Sequence, residues 1–468
     1  MKKGGNQKQL NQILKDIGRI ADQEKVRVFA VGGYVRDKIL KRPVDEIDFV
    51  VEGEGPGFAK TACEELDGHG YVVFERFGTA SFRIRKLKLE FVSARSEQYL
   101  AHSRKPVVEK SDLMTDLSRR DFTINTLAMD LSGDHFGRII DPYHGKEDIK
   151  KRIIRTPLEP ASTFSDDPLR IMRAARFASQ LDFQIEKKTF EGMSGEKERL
   201  RIVSRERITD EFLKILGSPV PSVGLRILLQ SGILEIIFPE LMDLAGVEQR
   251  DRYHHKDVFE HTLKVLDNLA RMSDDLLLRF SALVHDIGKP RVKRFVEGTG
   301  WTFHGHEQVG VHMLKKICPR LRLSTDFLKY SQKITGLHMR PVHLIDESVT
   351  DSAIRRLVVQ AGDDLEDLMM LCRADITSGN PKRVKKHLAN FDHIAERIVE
   401  VKEKDRLRAF QSPVRGDEIM KLCQIEPGPL VGQLKGMIEE AILQGEIPND
   451  HDAAKDYLMK IKDEVIKG

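Results

Sequence analysis

The chain has little cysteine, no long apolar run and almost no net charge for its size, and each shortage excludes a class. Cys63, Cys318, Cys372 and Cys423 are the only cysteines among 468 residues. They lie far apart without paired spacing, which excludes a zinc ribbon or a disulfide framework and leaves buried thiols. No apolar stretch approaches the roughly 20 residues that cross a bilayer, and the polar start MKKGGNQKQL has no signal-peptide core. A cytoplasmic protein with no membrane association is expected. The formal net charge of +4 excludes a global basic field, so contact with nucleic acid must rest on local patches. There is no internal repeat and no low-complexity segment.

What is present is enough chain for three or four units, because 468 residues exceed what one core accommodates. Charged residues at 32% and hydrophobic ones at 40% suit a soluble, mostly helical protein. Residues 1–25 read as an amphipathic helix carrying Leu10, Ile13, Leu14, Ile17 and Ile20. Over 26–155 the pattern is mixed, with strand-like runs at Val26–Val31, Tyr71–Phe74, Ala80–Arg85, Leu87–Val92 and Thr126–Leu131. After Thr156-Pro157 strand signals stop and helical periodicity continues to the C-terminus. It is broken near Pro219–Pro221, Glu297–Gly300, Ser378–Pro381 and Glu426–Pro429. The expected plan is an α+β head (26–155), a helical neck (156–222), a helical body (223–380) and a helical tail (381–468).

The head is organised around Phe29–Glu52, FAVGGYVRDKILKRPVDEIDFVVE. An apolar strand leads into Gly32-Gly33, a turn where side chains would block close approach, and then into a helix from Tyr34. Glu46-Ile47-Asp48 opens a second apolar run. Residues two apart in a strand share a face, so Glu46 and Asp48 present paired carboxylates while Ile47 faces the core. The pair outlines a metal site, to which Glu90 in the run Leu87–Val92 can add a third carboxylate; taken alone, such a pair is more often a solvated strand end.

Taken together, VGGYVRD, EID, FGTA and RRDFTINTLAMD (Arg119–Asp130) resemble the signature set of the class II tRNA nucleotidyltransferase and bacterial poly(A) polymerase family, whose head has a polymerase-β-like nucleotidyltransferase fold. The resemblance continues through Asp141-Pro142-Tyr143-His144-Gly145, Asp166-Asp167-Pro168-Leu169-Arg170 with IMRAARF, and Val203-Ser204-Arg205-Glu206-Arg207-Ile208. It implies that Gly32, Gly33, Arg36 and Asp37 shape a triphosphate pocket. It further implies that Glu46 and Asp48 hold catalytic Mg²⁺, and that Arg119, Arg120, Asp121 and Asn125 contact phosphates and ribose. Guanidinium forks suit phosphate and short acceptors suit sugar hydroxyls, although Arg119-Arg120 alone also fits a solvated basic turn. One position departs from the family, which usually has Asp where this chain has Glu46.

Cytosine and adenine share an exocyclic amine beside an unprotonated ring nitrogen. A carboxylate accepting from the amine and a guanidinium donating to the nitrogen accept C and A and reject U and G. Asp167 and Arg170, three residues apart at a helix start, have that chemistry; Asp167 before Pro168 also reads as a helix cap. With the resemblance, Asp166, Asp167 and Arg170 are assigned to base selection, and Arg173 and Arg176 to holding phosphate or bracing the pocket.

Histidines gather in the middle of the chain: His261 in VFEHTLKVL, His285-Asp286 in LVHDIGKP, His306 in FHGHEQVG and His338 in GLHMRP, with Asp375 in CRADI. Such residues on separate helices can converge on a metal, whereas a lone histidine is more often a satisfied core residue. The set resembles the HD-domain phosphohydrolases over 253–376. That implies a divalent metal on His261, His285, Asp286 and Asp375, with His306 and His338 available for a second and Lys289 to neutralise phosphate. Basic runs at Arg104-Lys105, Lys150-Lys151-Arg152, Lys382-Arg383 and Lys385-Lys386-His387 supply local charge. The family places tRNA along neck, body and tail.

The implied activity is Mg²⁺-dependent addition of C, C and A from CTP and ATP to tRNA 3′ ends without a nucleic-acid template, together with HD phosphohydrolase activity. The alternatives are an A-adding, CC-adding or poly(A)-polymerase sibling, with CC-only addition ranked lower because the Ser93–Ser118 segment leaves room for a loop that remodels the pocket for A addition, or a phosphohydrolase or RNA-binding protein with a degenerate head. No protein partner is expected.

Overall fold

A computed structural model describes residues 3–75, 78–98, 107–251, 254–345, 350–378, 380–405 and 412–467. Phe77 of FGTA, Arg104-Lys105 and the middle of the Ser93–Ser118 segment lie outside them. The chain divides into two compact units, Met1–Met242 and Asp243–Gly468.

In the first unit, α1 (Lys3–Gln23) precedes β1 (Arg27–Val31), α2 (Gly33–Ile39), β2 (Glu46–Glu52), α3 (Gly55–Glu65), β3 (His69–Phe74), β4 (Thr79–Ile84) and β5 (Leu87–Ser93). A ribbon, β6 (Arg95–Gln98) with β7 (Val107–Lys110), leads to α4 (Leu113–Ser118), β8 (Ala128–Asp130), β9 (Ile139–Ile140), α5 (Gly145–Lys151) and β10 (Ile153–Ile154). The main sheet has the order β3-β4-β5-β2-β1-β8-β9. Within it β2 and β5 run parallel with Asp48 opposite Glu90 and Glu46 opposite Lys88.

Alternation along β2 separates two faces. Phe49 stacks on Phe91 at 4.5 Å, and Phe82 and Phe58 complete a cluster of rings beneath α3. Fully burying each ring contributes about 1.5–3 kcal/mol. On the opposite face, shared by Glu46, Asp48 and Val50, Val50 packs with Leu113 and Leu117 of α4. That packing fixes where the chain emerges from α4 into Arg119 and Arg120.

The neck contains α6 (Pro160–Asp166), α7 (Leu169–Leu181), α8 (Lys187–Gly195), α9 (Arg205–Leu216), α10 (Pro221–Gln230), α11 (Ile233–Ile237) and α12 (Pro239–Met242). It also holds one short strand, β11 (Gln184–Ile185), paired parallel to β10. The unit boundary falls after Met242 and not at the expected 222/223, because α10 packs on α7 and carries α11 with it.

The second unit opens with β12 (Glu248–Asp251) and β13 (His254–Asp257), then α13 (Val258–Ala270), α14 (Leu276–Val284) and α15 (Lys289–Val292). A hairpin, β14 (Arg294–Val296) with β15 (Gly300–Thr302), precedes α16 (His306–Arg320), α17 (Thr325–Leu337), α18 (Asp351–Ala361) and α19 (Leu365–Ala374). These two hairpins, with β11, correct the expectation that strands end at Pro157. At β14–β15 the Glu297–Gly300 break is the hairpin turn itself, with Gly298 and Gly300 at φ 79° and 90°. The tail is α20 (Pro381–Asp405), α21 (Gly416–Cys423), α22 (Pro429–Gln444) and α23 (His451–Lys467); the last three share an apolar core around Leu434, Ile438 and Leu458. Among the described residues no helix is long and apolar enough to cross a membrane.

Candidate active sites

In the head, the parallel register brings carboxylate oxygens of Glu46, Asp48 and Glu90 within 4.8 Å of one another. Lys88, unremarked in the sequence, reaches between two of them, with Nζ 2.6 Å from Glu46 Oε1 and 2.8 Å from Glu90 Oε2. Burial pushes the Asp48 carboxyl up to about 6; Arg120 opposes the shift, while Glu90 and Glu46 add to it. A carboxylate whose charge is disfavoured by burial and by two acidic neighbours is one that a divalent cation relieves, so the trio fits Mg²⁺.

A second residue passed over in the sequence organises the arginines. Asp116, fully buried on α4, binds Arg119 through Oδ1 and Arg120 through Oδ2, the latter at 3.0 Å. Their i,i+3 and i,i+4 spacing was available as the signal. Burial raises the Asp116 pKa, but Arg120 and Arg119 prevail and hold it below the usual carboxylate range. Gly32 has φ 66°, a backbone conformation that favours glycine, and a Cβ there would also lie 2.9 Å from the tip of Arg120 at Nη1. Gly33 has no such close neighbour.

Behind this surface a polar chain links three elements. Arg36 pairs with Asp37 at 2.9 Å and donates to Asn125 Oδ1 at 2.8 Å; Asn125 donates to Asp121 Oδ1 at 2.9 Å; Arg173 holds Asp121 Oδ2 at 2.6 Å. Burial opposes charge on Asp121, yet Arg173 and Asn125 hold its pKa at about 2. Both Asp121 oxygens are thus engaged within the protein. Arg176 lies against Glu211 at 3.1 Å, with both side chains largely buried.

Asp166 ends α6, and Asp167 bridges α6 and α7 in an extended conformation. Asp167 Oδ1 accepts from Leu169 N at 3.2 Å, so the capping role is realised, and the residue precedes the helix instead of sharing a face of it with Arg170. The buried Arg170 guanidinium donates Nη1 to Thr163 O at 3.1 Å and Nη2 to Arg119 O at 2.6 Å. Those bonds fix the plane of the guanidinium.

In the helical unit, His261, His285 and Asp286 form one tight group and Asp286, His306 and His338 another, with Asp286 common to both. His261 Nε2 is 2.9 Å from Asp375 Oδ1, His285 Nε2 3.2 Å from Asp286 Oδ2, and His306 Nε2 3.3 Å from Asp286 Oδ1. Every ring is fixed from behind. Nδ1 of His285, His306 and His338 meets the carbonyls of Ala282, Phe303 and Thr335 at 2.7–2.8 Å, and Nδ1 of His261 meets Thr377 Oγ1 at 2.9 Å. In the neutral ring, donation from Nδ1 leaves the Nε2 lone pair facing the cluster. His285 Nε2 and Asp375 Oδ1 are buried yet make no aligned hydrogen bond among the described residues. Atoms sharing an ion at about 2.1 Å lie roughly 3–3.5 Å apart, close to the spacings seen here, so the set fits a divalent metal. Lys289 Nζ contacts Asp286 Oδ2 at 2.6 Å. Gly288 permits this packing, since a Cβ there would lie 2.1 Å from His306 O. Thr377 is the member that sequence spacing does not disclose.

Residues 28–155 match the poly(A) polymerase head domain, 182–244 the probable RNA and SrmB-binding site of polymerase A, and 258–378 the HD domain. The multifunctional CCA protein of Methylococcus capsulatus is 34% identical over 368 residues, covering 75% of this chain and 81% of that one. The A-adding tRNA nucleotidyltransferase of Deinococcus radiodurans is 33% identical over 352 residues, covering 73% and 78%. Among solved structures, the CCA-adding enzyme of Bacillus stearothermophilus in complex with CTP superposes with a TM-score of 0.69 at 22% identity, covering 97% of this chain and 98% of that one. The Thermotoga maritima CCA-adding enzyme complexed with tRNA gives 0.59 at 21%, covering 96% and 95%, a likeness of fold. With a polymerase-type head, its RNA-binding segment and an HD domain in one chain, the protein belongs to the tRNA nucleotidyltransferase and poly(A) polymerase family.

Proposed function

We propose that the chain adds C, C and A from CTP and ATP to tRNA 3′ ends without a nucleic-acid template. The observation that carries this reading is the carboxylate trio Glu46, Asp48 and Glu90, placed on one sheet face beside arginines anchored by Asp116. Glu46, Asp48 and Glu90 would hold magnesium, which when bound supplies positive charge to the α-phosphate and the attacking hydroxyl. Arg119 and Arg120, oriented by Asp116, contact triphosphate oxygens. The Arg36–Asn125–Asp121–Arg173 chain keeps α2 and α7 in place around the nucleotide. Asp167 accepts from the exocyclic amine of C or A, and Arg170 donates to the adjacent ring nitrogen.

Incubation with labelled CTP and ATP and a tRNA lacking its 3′ end tests the reading. Products extended by CCA are expected. Extension only of tRNA already ending in CC supports an A-adding enzyme, the reading favoured by the Deinococcus relative; A tails on generic RNA mark a poly(A) polymerase. Arg170→Ala is expected to lose most discrimination among the four NTPs, and unaltered preference overturns its selecting role.

The HD cluster is proposed to hydrolyse phosphoesters at RNA ends, 2′,3′-cyclic phosphates or phosphomonoesters, using a divalent ion on His261, His285, Asp286 and Asp375, with His306 and His338 offering a second position. Supporting it are the Nε2 atoms left facing one another. Hydrolysis that survives combined His285→Ala and Asp286→Ala substitution overturns it.

A further inference from the structure

The β14–β15 hairpin is bracketed in the sequence by two residues of the HD cluster, Lys289 and His306. Phe295 and Trp301 are cross-strand partners, so they share a face, and their rings meet edge to face at 5.3 Å. Despite this pairing they are 61% and 37% exposed. Rings kept for stability are turned inward; these are presented to solvent. Lys293 Nζ stands 4.3 Å over the Trp301 ring, and Arg291 and Arg294, its neighbours in sequence, are exposed. Glu297, at the turn, is the hairpin's one acidic residue.

The same chemistry continues toward the cluster. Phe303 lies two residues past Trp301, and Lys289 Nζ is 5.6 Å from its ring centroid while bonded to Asp286 at 2.6 Å. The Phe303 carbonyl meets His306 Nδ1 at 2.8 Å. Trp301 and His306 are five residues apart, so their Cα atoms are separated by no more than about 18 Å. Exposed rings interleaved with cations are how a protein holds single-stranded nucleic acid: bases stack on the rings and cations neutralise the phosphates. A bilayer would call for a wider apolar face than two rings offer.

We infer that the β14–β15 hairpin is a stacking platform for the last nucleotides of an RNA whose phosphorylated or cyclic-phosphate end enters the HD cluster. This rests on the phosphohydrolase reading for the direction of the RNA, but the platform can be tested apart from it. Trp301 is the only tryptophan in the chain, so emission from the intact protein reports this hairpin and is silent to RNA held elsewhere. With EDTA present to stop hydrolysis, a short oligoribonucleotide ending in 2′,3′-cyclic phosphate should quench that emission saturably. Phe295→Ala, checked for an unchanged melting curve, should weaken the quenching Kd by about five- to a hundredfold. Absence of quenching, or an unaltered Kd in Phe295→Ala, overturns the platform. A blue shift with anionic vesicles but no response to RNA overturns it too and assigns the hairpin to membranes. In the metal-loaded protein, Trp301→Ala should lower kcat/KM for the oligonucleotide about tenfold more than for bis(p-nitrophenyl) phosphate, and equal falls overturn it. A wild-type protein that hydrolyses neither compound refutes the phosphohydrolase reading and leaves the emission titration to decide the platform.

Discussion

In the head, three carboxylates meet across two parallel strands, one of them Glu46 with a side chain 49% exposed, and an ammonium group from Lys88 stands between two of them. In the HD cluster, His285 and Asp286 have side chains 1–2% exposed, and each histidine ring is pinned through Nδ1. A set of rings already aimed and dried is built to hold its ion in the absence of substrate. An open trio on a strand surface suits an ion that arrives with a triphosphate and completes its coordination from phosphate and water. On the proposed reading both hold a divalent ion through carboxylates, but one site is finished by the protein and the other by the substrate.

The largest expected effect breaks the comparison in two. Asp48→Asn should reduce nucleotide incorporation by about 10²–10³-fold and leave phosphoester hydrolysis in place, whereas Asp286→Asn should do the reverse. Measured on one preparation with CTP, ATP and a phosphodiester, these reciprocal losses show two independent centres. Losses that travel together would mean that one site serves both reactions.

The next effect separates the sites by pH. The Asp48 carboxyl, raised to about 6 chiefly by burial, binds a proton as pH falls through that value, and a cation must then displace it. Divalent-ion affinity at the head should therefore fall about tenfold between pH 7 and pH 5 and change little above pH 7. In the HD cluster, burial disfavours the His285 cation, but Asp286 prevails and moves the pKa up to about 9. The metal-binding ring is the neutral one, so affinity there should keep rising between pH 7 and pH 9. Titration calorimetry in buffers of different ionisation enthalpy reads both proton releases, and coincident pH profiles would remove the distinction.

How much of this was legible followed from whether the contact is local. The strand-turn-helix at Gly32, the face shared by Glu46 and Asp48, and the boundaries at Pro221, Pro381 and Pro429 are set by short-range sterics and period-2 alternation, which a sequence displays. The HD residues are legible as a set because they sit on several separate apolar helical frames, with His285 and Asp286 together at the end of one. The β14–β15 hairpin reads in the sequence as a simple break, since strands of three residues show no period. Lys88 was passed over because its place between Glu46 and Glu90 depends on the β2–β5 register, a pairing across 42 residues that composition does not encode. The carbonyl anchors of Arg170 likewise come from Thr163 and Arg119, on other elements.

The smallest expected effect sharpens what Lys88 does. Glu46 stands opposite Lys88 in the strand register, and its longer arm reaches Nζ at 2.6 Å. The ammonium group already balances two of the carboxylates that a divalent ion would use, so ion binding at the head has to loosen it. Lys88→Met keeps an unbranched stem in the strand and removes the charge. Because the pair is partly solvated, its worth is that of an exposed ion pair, about 0.2–1 kcal/mol, and the head should bind Mn²⁺ up to about fivefold more tightly in the variant. Manganese titration followed by electron paramagnetic resonance in an Asp286→Asn background isolates the head from the HD cluster. Tighter binding identifies Lys88 as a competitor that keeps the unliganded head from taking up metal before the triphosphate arrives. Weaker binding would mean instead that the ammonium group gathers Glu46 and Glu90 into the geometry the ion needs, making the open site more preorganised than its exposure suggests.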